Sequence, residues 1–135
     1  MIVWVSVVPD FFKHWDPQAP KLPAILDTGN NHNFAITKDH LLRWAGIQVS
    51  GLVEKKHMRE RGVLVPLHDA GLWLHADAEP FNLAIDDGIA VYDGNWPRLP
   101  TLGLRALTNN GLQSFIYGDT KEVVIRTPPA WWWPF

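Results

Sequence analysis

A chain of 135 residues, 47% of them hydrophobic and 19% charged, is long enough to bury one core and too apolar to stay disordered. Twelve Lys and Arg against fourteen Asp and Glu give a formal charge of -2, and no basic block is present to neutralise a run of phosphates, so nucleic acid is not an expected partner. The absence of cysteine excludes disulfides, zinc-thiolate sites and thiol nucleophiles and suits the reducing cytoplasm, and no apolar run approaches the ~20 residues needed to cross a bilayer, so no membrane partner is expected.

Residues 2–8 alternate β-branched positions and lack the cationic start of a signal peptide, which predicts a first strand. Prolines 9, 17, 20 and 23 then hold the chain in loop as far as Leu22. Ala24-Ile25-Leu26 predicts a short buried strand, ended by the turn chemistry of Asp27-Thr28-Gly29-Asn30-Asn31, and Asn33-Phe34-Ala35-Ile36 resumes an extended course. Thr37 as N-cap, Asp39 in the first turn, Leu41, Leu42, Trp44 and Ala45 at helical spacing, and Gly46 as the stop predict one short helix.

Residues 47–53 and 62–67 are rich in β-formers and flank the charged run 54–61, which is expected to be the solvated tip of a hairpin with Gly51 and Gly62 in its stems. Further strands are predicted at 72–74, 81–85 and 88–92. The segment 100–107 passes from an extended stretch into a second short helix stopped by Asn109-Asn110-Gly111. Segments 112–117 and 122–126, on either side of a turn that starts at Gly118-Asp119, predict a terminal hairpin. The expectation is a mostly β chain with one or two short helices. It forms a single domain over 1–135 with its core at about 22–127 and a tryptophan-rich tail, 128–135, packed on its own subunit or across a dimer.

Asp-Thr-Gly alone makes many ordinary turns. Here an apolar strand delivers the carboxylate of Asp27, Thr28 adds a hydroxyl, and Gly29 allows close backbone approach. The sequence that follows, with Asn33-Phe34-Ala35-Ile36, Leu41-Leu42 and Ala45-Gly46-Ile47, resembles the continuation of the Asp-Thr-Gly strand in retroviral, retrotransposon and bacterial retropepsin-like aspartic peptidases. A second element, Thr101-Leu102-Gly103 followed by Leu104-Arg105-Ala106-Leu107, resembles the strand that in this family passes behind the catalytic loop and leads into a short helix. The resemblance covers roughly residues 22–127. It implies a closed-barrel-like acid protease fold with one lobe per chain. Asp27, Thr28 and Gly29 would be catalytic, Asn30, Asn31, Leu52, Val53 and Leu102 would contact substrate, and a covering flap would lie within 49–65, with neither metal nor cofactor required.

Three departures stand out: Thr101 replaces an apolar residue, Arg105 stands where many relatives carry Asp or Asn, and the flap has no glycine-rich tip.

Hydrolysis of this type needs two carboxylates, one acting as base and one as acid. The chain carries one Asp-Thr-Gly: Asp119-Thr120 is followed by Lys121, and Asp86-Asp87-Gly88 and Asp93-Gly94 lack the hydroxyl and the preceding apolar pair. The implied enzyme is therefore a homodimer acting on extended peptides with apolar residues near the cut, the two Asp27 carboxylates titrating as a pair. The other reading is a non-catalytic dimerisation or peptide-binding module on the same fold. His32, His40, His68 and His75 lack the spacing of a helical metal site, and the run 54–61 nearly alternates in charge, as a solvated segment does.

Overall fold

The computed structural model describes residues 2–9, 15–27, 32–75, 80–85, 87–117 and 122–126. The expectations for Thr28, Gly29, Asn30, Asn31 and the tail at 128–135 fall outside them. Strand β1 (Ile2–Val8) buries Val3, Val5 and Val7 and turns Ile2 and Trp4 outward, the period of two that its sequence carries. It pairs antiparallel with β2 (Leu22–Asp27) on one side and with β6 (Gly71–His75) on the other. Pro23 sits in the part of β2 that has β1 as its only ladder partner, where a strand tolerates a residue without an N–H.

Strand β3 (Phe34–Thr37) is buried throughout and runs directly into helix α1 (Lys38–Ala45). The Thr37 hydroxyl accepts from the His40 amide at 3.1 Å, and Gly46, at φ 69°, closes the C-terminus with the amides of Gly46 and Ile47 donating to Leu42 and Leu41. Both ends of the helix are therefore set by the residues the sequence offers for them.

The hairpin departs from expectation. Residues 49–51 form a 3-10 turn, and the charged run is itself strand β4 (Glu54–Glu60), paired with β5 (Val63–His68). Gly62 lies at the tip, where Arg61 and Gly62 take φ values of 52° and 79°, the two positive angles of a type I′ turn. The physical reason is position: β4 is the outermost strand, wet at nearly every residue, so charge costs nothing there and discourages edge-to-edge pairing.

The remaining elements are β7 (Phe81–Leu83), β8 (Ile89–Tyr92), β9 (Thr101–Gly103), helix α2 (Leu104–Thr108), β10 (Gln113–Tyr117) and β11 (Glu122–Arg126). Nine strands make one sheet in the order β4-β5-β8-β3-β9-β2-β1-β6-β7, while β10 and β11 form a separate two-stranded ladder. Strand β9 is the seam: it runs parallel to β2 and antiparallel to β3, and among the described residues it alone joins the two four-stranded halves. The sheet stays open, in contrast to the closed barrel expected, because its outer strands are a charged edge and a strand of three residues, β7.

The main core gathers Val5, Leu22, Phe34, Ile36, Leu41, Leu72, Leu74, Leu102 and Leu107, so both helices and both halves of the sheet close over one interior. Each fully buried aliphatic or aromatic side chain there contributes about 1.5–3 kcal/mol of transfer free energy. Among the described residues no helix is long and apolar enough to cross a membrane.

Candidate functional site

Asp27 is the last residue of β2 and is partly buried. The parallel register sets Ile25 beside Thr101, Leu26 beside Leu102 and Asp27 beside Gly103. On the other side of β9, Leu102 faces Phe34 and Thr101 faces Ala35. Backbone bonds fasten both ends of the insertion: the Ile25 amide donates to the Pro100 carbonyl at 2.8 Å, and the Gly103 amide donates to the Asn33 carbonyl at 3.0 Å. The strand ending at Asp27 and the strand leaving the loop at Phe34 are thus held apart by one inserted strand. The two segments that carry the family resemblance meet here.

Of the expected substrate contacts, Leu52, Val53 and Leu102 lie among the described residues. Leu102 is fully buried, set beside Leu26 on one side and Phe34 on the other, so in the single chain it presents nothing to the surface. Leu52 is buried at the foot of the hairpin, and Val53 beside it is exposed, its carbonyl accepting from the Asp69 amide at 2.8 Å. Neither is near the hairpin tip. Arg105 faces Asp87, with Nη2 3.5 Å from Oδ2, and the same carboxylate receives Lys56 Nζ at 2.7 Å. Its bond with Lys56 holds the Asp87 carboxyl below the usual carboxylate range. The foot of the hairpin is thereby tied to α2.

A group that sequence reasoning missed stands at the other end of the hairpin. Glu60, the residue before the tip, accepts from the Tyr92 hydroxyl at 2.6 Å, and the same Oε2 lies 3.2 Å from His32 Nε2. His32 is 4% exposed and leaves the Asp27 loop on the way to β3. Tyr92 ends β8, and its ring meets Trp96 edge-on at 5.0 Å. The Tyr92 bond, with a further contribution from His32, lowers the Glu60 pKa against an opposing effect of burial. Burial and the neighbouring carboxylate both raise that of Tyr92. The signal available in the sequence was alternation: Met58 and Glu60 share one face of β4 with Val65 and Val63 of β5, the face that turns toward β8.

Among the described residues no three His, Asp or Glu side chains converge as metal ligands do. Compared with family models, with curated proteins and with solved structures, the chain finds no match.

Proposed function

We propose that the chain is one subunit of a homodimeric aspartic endopeptidase of the retropepsin type, one lobe per chain, in which Asp27 and Asp27 of a second copy share a proton about one water. One carboxylate takes a proton from the water as it attacks the scissile carbonyl, and the other gives a proton to the carbonyl oxygen. The observation that carries the reading is the register of β2 with β9, which sets Asp27 beside Gly103. Two segments distant in sequence, each singled out for its resemblance to the family, are neighbours in the sheet. The hairpin β4–β5 is the candidate flap, and a cysteine-free chain suits a reducing compartment such as the cytoplasm.

The test is cleavage of an unbiased peptide library by purified protein from acidic to neutral pH, with sedimentation to read the assembly. Asp27→Asn is expected to remain dimeric and to lose activity by roughly three orders of magnitude or more. Undiminished cleavage by that variant would falsify the assignment. A wild-type dimer that binds peptides and cuts none would instead identify the non-catalytic module.

A further inference from the structure

Under the tip of the hairpin lies a cavity of about 280 Å³, lined by Glu60, Arg61, Val63, Val65, Tyr92 and Trp96. Its chemistry is mixed in an informative way. Glu60 spends Oε2 on Tyr92 and His32, while Oε1 takes no hydrogen bond from the described residues and the side chain keeps 32% of its surface open. Two aromatic rings at an interplanar angle of 83° form one corner, and Trp96 is 57% exposed. Val63 is exposed and Val65 buried, a graded apolar wall leading inward.

An anionic guest would meet Arg61 favourably, but would face the Glu60 carboxylate. A cationic guest gains from the carboxylate and from the exposed Trp96 indole, and loses to Arg61 and to His32 when that ring is protonated. An aliphatic stem is needed to use the valines. We propose that this pocket holds a lysine or arginine side chain of an extended peptide, the charged head at Glu60 Oε1 and the methylene stem along Val63, Val65 and Trp96. It rests on the endopeptidase reading only for what happens to the peptide once bound. In that case the pocket adds a basic residue to the apolar ones expected around the cut. Tyr92 and His32 act as positioning residues: each holds the Glu60 carboxylate, and His32 connects it to the strand that follows Asp27.

Binding and cleavage are measured separately. Calorimetry on Asp27→Asn protein uses otherwise identical peptides in which lysine, arginine, norleucine or glutamate is stepped through each position, and cleavage of the same set is followed with the wild type. At one position, lysine and arginine are expected to bind roughly tenfold more tightly than norleucine, and glutamate more weakly than either. Adding Glu60→Gln removes the charge but leaves an acceptor for Tyr92, and is expected to erase the preference. Arg61→Ala should sharpen it.

If the wild type cuts none of the peptides but they still bind through Glu60, the peptidase reading falls and the pocket stands. Equal affinity for lysine and norleucine at every position, a preference that survives Glu60→Gln, or no peptide binding at all overturns the pocket. Should Glu60→Gln fail to fold, Trp96→Ala leaves the Glu60 hydrogen bonds in place. It is expected to weaken lysine peptides several-fold, and unchanged affinity there overturns the pocket equally.

Discussion

At Gly88 the chain turns into β8 with φ at +77°, and a Cβ added there would overlap the backbone carbonyl of His68 on the neighbouring strand. Both the backbone angle and the space forbid a side chain, so Gly88→Ala is expected to lower the free energy of unfolding by more than about 2 kcal/mol, read from urea denaturation. A second residue-scale constraint is on protonation. The fully buried Ser6 hydroxyl donates to the Pro20 carbonyl at 2.7 Å, which leaves it to accept from His75 Nε2 at 2.8 Å. Burial lowers the His75 pKa, with Lys21 adding to the effect, and burial likewise lowers that of His68.

A histidine kept neutral by the fold takes up its proton more readily when unfolded. Stability from these two residues is therefore complete above the ordinary value of 6.5 and falls as the pH drops below it, each adding at most about 1.4 kcal/mol per pH unit. Denaturation midpoints measured between neutral pH and pH 5 should decline, and His75→Gln should flatten that decline. An unchanged pH dependence in the variant would remove His75 from the account.

Elements whose ends are written in local chemistry were legible in advance. Thr37 and Gly46 bound α1 because a cap needs only its own few neighbours, and Thr37→Ala is expected to cost about 1 kcal/mol in thermal unfolding. The charged strand was not legible, because whether a run such as residues 54–60 is a tip or a strand depends on how many neighbours it has, and β4 has one. The same blindness hid Glu60, His32 and Tyr92, which lie far apart in sequence and touch only through the sheet.

The opposite end of the hairpin is held by Asp87 between Lys56 and Arg105. Because the folded Asp87 pKa is depressed, its contribution is present above the ordinary value of 3.8 and is lost as the pH falls through the lower folded value. Asp87→Asn should thus destabilise by about 0.5–1 kcal/mol near neutrality and make no difference in strong acid.

For the molecule as a whole, β9 joins two half-sheets that have no other ladder between them among the described residues. The sequence placed an extended stretch at Thr101-Leu102-Gly103, but its pairing was not legible, since no local preference of residues 101–103 names residues 25–27 and 34–35 as partners. Leu102→Ala should cost about 2–5 kcal/mol, and both halves of the sheet should lose amide-exchange protection together. Loss in one half alone would mean that the halves are independently stable.

The insertion also fixes an order of events during synthesis. Strands β1 to β8 all precede β9 in the chain, so until residues 101–103 are in place β2 and β3 each miss one neighbour, and both of these bare edges are apolar. Until residues 101–103 arrive, the easiest partner for either edge is the wrong one: the other edge, or a second nascent chain. The strand that sits beside Asp27 in the finished molecule is thus also the one that covers the two apolar edges on which the chain is most open to mispairing.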